Sequence, residues 1–296
     1  NLDRRTEAIA QIDTILEKAE PSSREARTAQ HLKGLFNMAD GAWDAAAAAF
    51  NRTYEPDTGS SSGRQLASEA YLEKARTAPD LPQALTAIDQ AIGLYAEATG
   101  RENLQKLQRL KLTRAKLLAQ GGKPEEAIQS LQQLVGRNPD NLEATVTLAS
   151  IYADREEWLA LEDLIAPIAK NPLLTDVALY LEGRVALARD RVGTARAKFE
   201  AALQENAGRP TALQHVLEFY RSICFEKLGR LDQAEQSLQN ALADGYIPET
   251  AAETVHCGRL LLRIGEVDTL VPILEKALLR GSASAEGWAI LGRAPL

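Results

Sequence analysis

Apolar residues recur along this chain at helical spacing, and no stretch shows the strict alternation of a half-buried strand. After Pro124, the side chains of Ala127, Ile128, Leu131, Leu134 and Val135 fall on one helical face. Pro124 suits a first turn, and Glu125 and Glu126 favour the positive end of a helix. The run stops at Gly136-Arg137-Asn138-Pro139. Asp140 is placed to cap the next helix, with Glu143 three residues on completing a variant capping box. Ala, Leu, Glu, Gln and Arg dominate throughout, which predicts helix almost everywhere and no sheet. Short helices joined by short turns make antiparallel neighbours.

This pair of helices recurs. Ala127, Leu161 and Ala195 are each 34 residues apart, as are the small residues Ala115, Ala149 and Gly183 in the preceding helices. The lattice continues through Ser222, Gly258 and Gly292 at steps that admit extra turn residues. Alanine recurs at Ala46, Ala127, Ala195 and Ala234 in one lattice place, and a large apolar residue lies four positions after that place at Phe50, Leu131, Ile165, Phe199, Leu238 and Leu274. Trp288-Ala289-Ile290-Leu291-Gly292 supplies a Trp and a Leu-Gly, Tyr152 and Phe225 an aromatic place, and Pro139 a closing proline.

In period and residues this pattern resembles the tetratricopeptide-repeat (TPR) family. The resemblance covers essentially the whole chain and implies an all-α fold, a right-handed superhelical α-solenoid of helix-turn-helix repeats. A single solenoid over 1–296 is expected, with about seven repeats and a half repeat at each end: a second helix over Thr6 to Glu20 and a first helix over Ala285 to Gly292. Departures fall at Leu72, where a small residue is expected, and at Leu161 and Leu270, where Ala is expected; the helix pair should widen there. A Gly/Ser-rich run interrupts the lattice, and a flexible insertion is expected over 54–64. Because Asn1 opens the chain and Met38 is its only methionine, a processed or excised piece of a larger protein is expected.

Composition changes this picture little. The net charge of -7 argues against nucleic acid, which is held through clustered Lys and Arg. No apolar run is long enough to cross a membrane, and no signal-peptide core follows Asn1, so a soluble chain is expected, its compartment left open. His31, His215 and His256 are spread over different repeats, so a Ser-His-carboxylate arrangement would need a coincidence of folding, and no catalytic residue is expected. Cys224 and Cys257 lack metal-ligand spacing; buried free thiols, no metal and no cofactor are expected. Gly121-Gly122-Lys123-Pro124 lacks the earlier glycine and the Ser/Thr of a phosphate loop.

The function expected is therefore protein binding. The family resemblance implies that the first helix of each repeat lines a concave groove, with the residue after the small place facing it. Lys116, Arg184, Arg259 and Arg293 hold that place, and Tyr180 and Phe219 lie three residues before the small residue on the same helix face. These six are the expected partner-binding residues, and an apolar row with basic flanks suits a peptide or helix carrying acidic residues. They do not reproduce the Lys/Asn/Arg clamp by which some TPR domains hold a C-terminal carboxylate. As solvated residues, Arg184 and Arg259 should tolerate reversal to Glu with folding intact while partner binding weakens. A scaffold within a larger assembly is expected first; a regulatory or substrate-docking domain of an enzyme whose catalytic domain lies outside this chain is the alternative.

Overall fold

The computed structural model describes residues 2–53, 62–97, 99–206, 213–248 and 250–279. They form fifteen α-helices and no strand among the described residues: α1 (Leu2–Lys18), α2 (Arg24–Ala39), α3 (Trp43–Asn51), α4 (Ser62–Thr77), α5 (Leu81–Gly93), α6 (Arg101–Gln120), α7 (Pro124–Arg137), α8 (Leu142–Asp154), α9 (Trp158–Ala169), α10 (Thr175–Ala188), α11 (Val192–Glu205), α12 (Gln214–Lys227), α13 (Leu231–Ala243), α14 (Ala251–Ile264) and α15 (Val267–Leu279). None of these is long and apolar enough to cross a membrane. The chain divides into two compact units, Asn1–Leu148 and Ala149–Leu296. Of the insertion expected over 54–64, residues 62–64 belong to α4, and 54–61 lie outside the described residues, as does Ala285 to Gly292.

Local chemistry fixes the helix ends. α7 opens on Pro124 with Glu125 and Glu126 in its first turn and closes with Arg137 in its last. α8 is capped by Asn141, whose Oδ1 accepts from Ala144 N at 3.1 Å. Asp140, the expected cap, instead sits in the turn after Pro139, one residue short of the observed cap. α14 carries a complete capping box: Glu253 N donates to Thr250 Oγ1 and Thr250 N to Glu253 Oε2.

Within each pair the first helix presents its small residue to the second. A Cβ added to Gly34 would lie 2.4 Å from the Phe50 ring, and one added to Gly183 would lie 2.4 Å from the Phe199 ring. Phe50 and Phe199 have no exposed surface, and neither do Ala115, Ala149 or Ser222 at the same lattice place. Leu72 is only half-buried; a large residue does not fit the seam and is partly displaced to the surface, packing beside Ile88. Leu161 and Leu270 are wholly buried in the Ala place. No side chain of Leu274 is described.

One backbone device closes the turn inside six of the pairs. The residue seven beyond the small one is left-handed: Gly41, Gly122, Gly229 and Gly265, but also Glu156 (φ 59) and Asp190 (φ 56). The next residue donates its N–H five positions back, as in Lys123 N to Leu118 O (2.8 Å) and Arg191 N to Ala186 O (2.9 Å). This six-to-one bond satisfies a carbonyl that the helix end would otherwise leave unpaired.

Unit 2 holds an extended core in which Phe199, Leu217, Phe219, Cys224, Leu238, Cys257 and Leu261 meet. Both cysteines are free and buried, and burial pushes each thiol up to about 12. In unit 1 smaller clusters form around Phe50 with Ala67 and Ala70, and around Ile88 with Tyr95 and Leu110.

Two substitutions test this account by urea unfolding. Gly183→Ala forces a methyl into the Phe199 ring and should cost about 1–3 kcal/mol. Asp190→Gly relieves a left-handed aspartate whose contact to Lys227 is long, at 3.7 Å, and solvated; stability should rise by about 0.5–1 kcal/mol. Unchanged midpoints would remove the seam and the turn from the explanation of the fold.

Candidate functional site

The first helices α10, α12 and α14 of unit 2, with the end of α8 and the start of α9, bound a hollow of about 910 Å³. Its floor is apolar and aromatic: Trp158, Leu187, Tyr220 and Ile223. Its rim carries both signs, with Arg184, Lys227 and Arg259 against Asp154, Glu156, Glu226 and Glu253. A smaller polar recess adjoins it, sharing Arg184, Tyr220 and Glu253 and adding Tyr180, His215 and Tyr246.

Arg184 organises the aromatic wall. Its side chain is only 10% exposed. It donates from Nη1 to Tyr180 Oη at 2.7 Å and from Nη2 to Ala153 O at 3.0 Å, and it lies 4.5 Å above the Tyr220 ring. Asp154 stands 3.8 Å away. Burial alone would lower its pKa, but the Tyr180 and Tyr220 oxygens outweigh that and hold the guanidinium charged. Burial raises the Tyr180 and Tyr220 phenols in turn, keeping them neutral donors and acceptors.

A second network ties α12 to α14. Ser222 Oγ lies 2.7 Å from His256 Nε2, and His256 Nδ1 lies 2.8 Å from Glu226 Oε2, which also accepts from Arg259 at 3.3 Å. Hydrogen bonding to His256 lowers the Glu226 pKa below the usual carboxylate range, against the opposing effect of burial. The order serine, histidine, carboxylate is that of a nucleophilic triad, which the sequence had been expected not to assemble. The spacing of Ser222 and Glu226 across one helical turn, with His256 34 residues beyond Ser222, is what brings them together. Ser222, however, has no exposed surface, and its Oγ also lies 2.7 Å from Phe219 O. The hydroxyl faces the helix seam and not the hollow, so in this geometry the network works as a strut.

The six residues expected to bind a partner separate accordingly. Arg184, Tyr180 and Arg259 are brought together in unit 2, but Arg184 and Tyr180 are spent on each other. Phe219 is a correction: it is wholly buried, because Tyr246, from the connection after α13, stacks on it at 4.2 Å. Its neighbour Tyr220 reaches the hollow instead. Lys116 belongs to unit 1, half-exposed and paired with Glu143 at 2.8 Å. Arg293 lies outside the described residues. Ile223 holds the groove-facing place after Ser222, though it was not among the six. Trp158 and Lys227 were missed as site residues; Trp158 occupies a repeat packing place, and only its position at the very start of α9 distinguishes it.

Among the described residues no group of three or more His, Cys, Asp or Glu side chains could hold a metal ion. A family model described as "Tetratricopeptide repeat" matches residues 1–61 and 112–160. No curated protein matches the chain. Solved structures do. A tetratricopeptide repeat protein from Parabacteroides merdae is 16% identical, with a TM-score of 0.62 over 90% of this chain and 98% of its own. A chain of the APC/C hetero-tetramer Cut9-Hcn1 is 15% identical, with a TM-score of 0.54 over 98% of this chain and 59% of its own. PilW, a type IV pilus biogenesis factor, is 15% identical, with a TM-score of 0.51 over 77% of this chain and 98% of its own. At these identities the likeness is one of fold.

The buried state of Arg184 overturns the expectation that its reversal spares folding. Arg184→Ala should cost about 2–4 kcal/mol in urea unfolding, since it strands the Tyr180 hydroxyl and the Ala153 carbonyl. Arg259→Glu, on a half-exposed side chain, should change stability little. Glu226 provides a pH test. Its depressed pKa gives stability that is present above the ordinary carboxylate value, about 4.3, and is lost as pH falls through the folded-state value. Glu226→Gln should lower stability by about 1 kcal/mol at neutral pH and flatten the acid side of the stability profile. A profile parallel to wild type would remove Glu226 from the network.

Proposed function

Since the chain is a tetratricopeptide-repeat protein, we propose that it acts as an interaction scaffold within a larger assembly, holding a partner's amphipathic helix or extended peptide against the first-helix face of unit 2. The observation that carries this reading is the 910 Å³ hollow, whose floor leaves Trp158, Leu187 and Ile223 only half-buried while charged groups ring it. Apolar side chains that gain by being covered, inside a charged border, are what a docked helix needs. The fold neighbours include a chain of a hetero-tetramer and a pilus biogenesis factor, and both settings are compatible with assembly work.

The partner's charge pattern follows from the rim. Arg184 is buried with its hydrogen bonds spent inside the fold, so the acidic partner expected from sequence meets exposed basic side chains only at Lys227 and Arg259, whose ion pairs with Asp190 and Glu226 are long and solvated. Asp154, Glu156, Glu226 and Glu253 carry the negative charges of the same rim. A partner helix with an apolar ridge and acidic residues that meet Lys227 and Arg259 fits that lining, the ridge giving affinity and the charges giving direction.

Selection of helical peptides from a display library on the full chain, followed by anisotropy titration, tests this. Selected peptides should bind Ile223→Glu at least about tenfold more weakly, with helicity unchanged. In a Trp43→Phe/Trp288→Phe background, binding should also shift the emission of Trp158. Equal affinity for Ile223→Glu, with no Trp158 response, would place the binding face elsewhere.

A further inference from the structure

Unit 1 has a hollow of its own, of about 220 Å³, between α5, α6 and α7. Ile92 and Leu134 give it an apolar lining, and Lys111, Arg114 and Arg137 surround it with a single carboxylate, Asp89. That carboxylate is already engaged: Arg114 donates to it from Nε at 2.7 Å and from Nη2 at 3.4 Å. Lys111 and Arg137 have no ion pair or hydrogen-bond partner among the described residues. Elsewhere in the same unit the cations at helix contacts are matched, Lys74 to Asp44 and Lys116 to Glu143. A local excess of two positive charges therefore stands in a chain whose net charge is -7.

The helix dipole accounts for one charge, since Arg137 lies in the last turn of α7. It does not account for Lys111, which sits mid-helix in α6 and is half-buried. We propose that this hollow docks an acidic segment of a partner protein, whose carboxylates supply the counter-charges for Lys111 and Arg137 and whose intervening apolar side chain rests on Ile92 and Leu134. An inorganic anion would satisfy the cations but gain nothing from the apolar lining, which is why the occupant is a peptide. This site involves none of the residues of the unit 2 hollow, so it stands or falls separately from the helix-binding face.

The probe is a fluorescein-labelled synthetic peptide of repeated Glu-Glu-Leu, titrated by anisotropy against the full chain, with the Gln-Gln-Leu peptide as control. Saturable binding of the acidic peptide alone is expected, weakening as salt rises, because the charges are surface ones. Lys111→Glu/Arg137→Glu should weaken it about tenfold or more, and Lys111→Gln/Arg137→Gln by less, with helicity unchanged in both. Arg76→Glu, at an exposed cation that lines neither hollow, should leave it as in wild type. Four results would overturn the assignment: no saturable binding, equal affinity for wild type and the charge-reversed variant, loss of binding in Arg76→Glu, or displacement of the probe by inorganic phosphate at concentrations where chloride has no effect. The last would make the hollow a phosphate site.

Discussion

Everything in this structure depends on how closely the two helices of a pair approach. Where Gly34 faces Phe50 and Gly183 faces Phe199, there is no room for even a methyl group on the first helix. The aromatic ring fills the space that a side chain would otherwise occupy, and the ring itself is withdrawn from water. Ala and Ser at the equivalent places make looser versions of the same contact. Beyond this seam, part of the first-helix surface of α10, α12 and α14 lines the hollow of unit 2.

Charge is handled differently in the two hollows. In unit 2 the most deeply placed cation, Arg184, is part of the scaffold: it fixes Tyr180, covers Tyr220 and ties α10 to the last turn of α8 through Ala153 O. A buried guanidinium in this position gives the wall its shape while contributing little free charge to a ligand. Ser222, His256 and Glu226 do the same one helix pair further along. In unit 1 Arg114 is paired with Asp89, but Lys111 and Arg137 beside the smaller hollow lie nearer the surface and lack such internal duties. Under the two proposals, the larger hollow is recognised through its apolar floor and the smaller through its charge.

Much of the fold was legible because the packing rule is written in residue size. Gly34, Ala115, Ala149, Gly183, Ser222 and Gly258 are small for a steric reason, and their spacing to the large residues of the second helix survives every change of composition. The site was less legible. Periodicity places Tyr180 and Phe219 in equivalent positions, but the connection after α13 folds Tyr246 onto Phe219, and a repeat lattice carries no information about what a connection does. Arg184 read as a solvated groove residue because its burial comes from three rings, Trp158, Tyr180 and Tyr220, that lie on three different helices. The cap of α8 moved from Asp140 to Asn141 for a more local reason, the turn that follows Pro139.

The left-handed turn has a consequence for how such a chain tolerates change in length. In all six pairs that carry it, the distance from small residue to turn is the same, even where the turn residue is Glu156 or Asp190 and strain must be borne. The six-to-one bond permits one loop length only, because adding or removing a residue would displace the second helix relative to the seam it must fill. The connections between successive pairs obey no such closure, and their lengths differ freely along the chain. Insertions and deletions are thus confined by geometry to one kind of junction. The helix pair is the smallest segment that can be copied, lost or exchanged without breaking a contact on which its own packing rests.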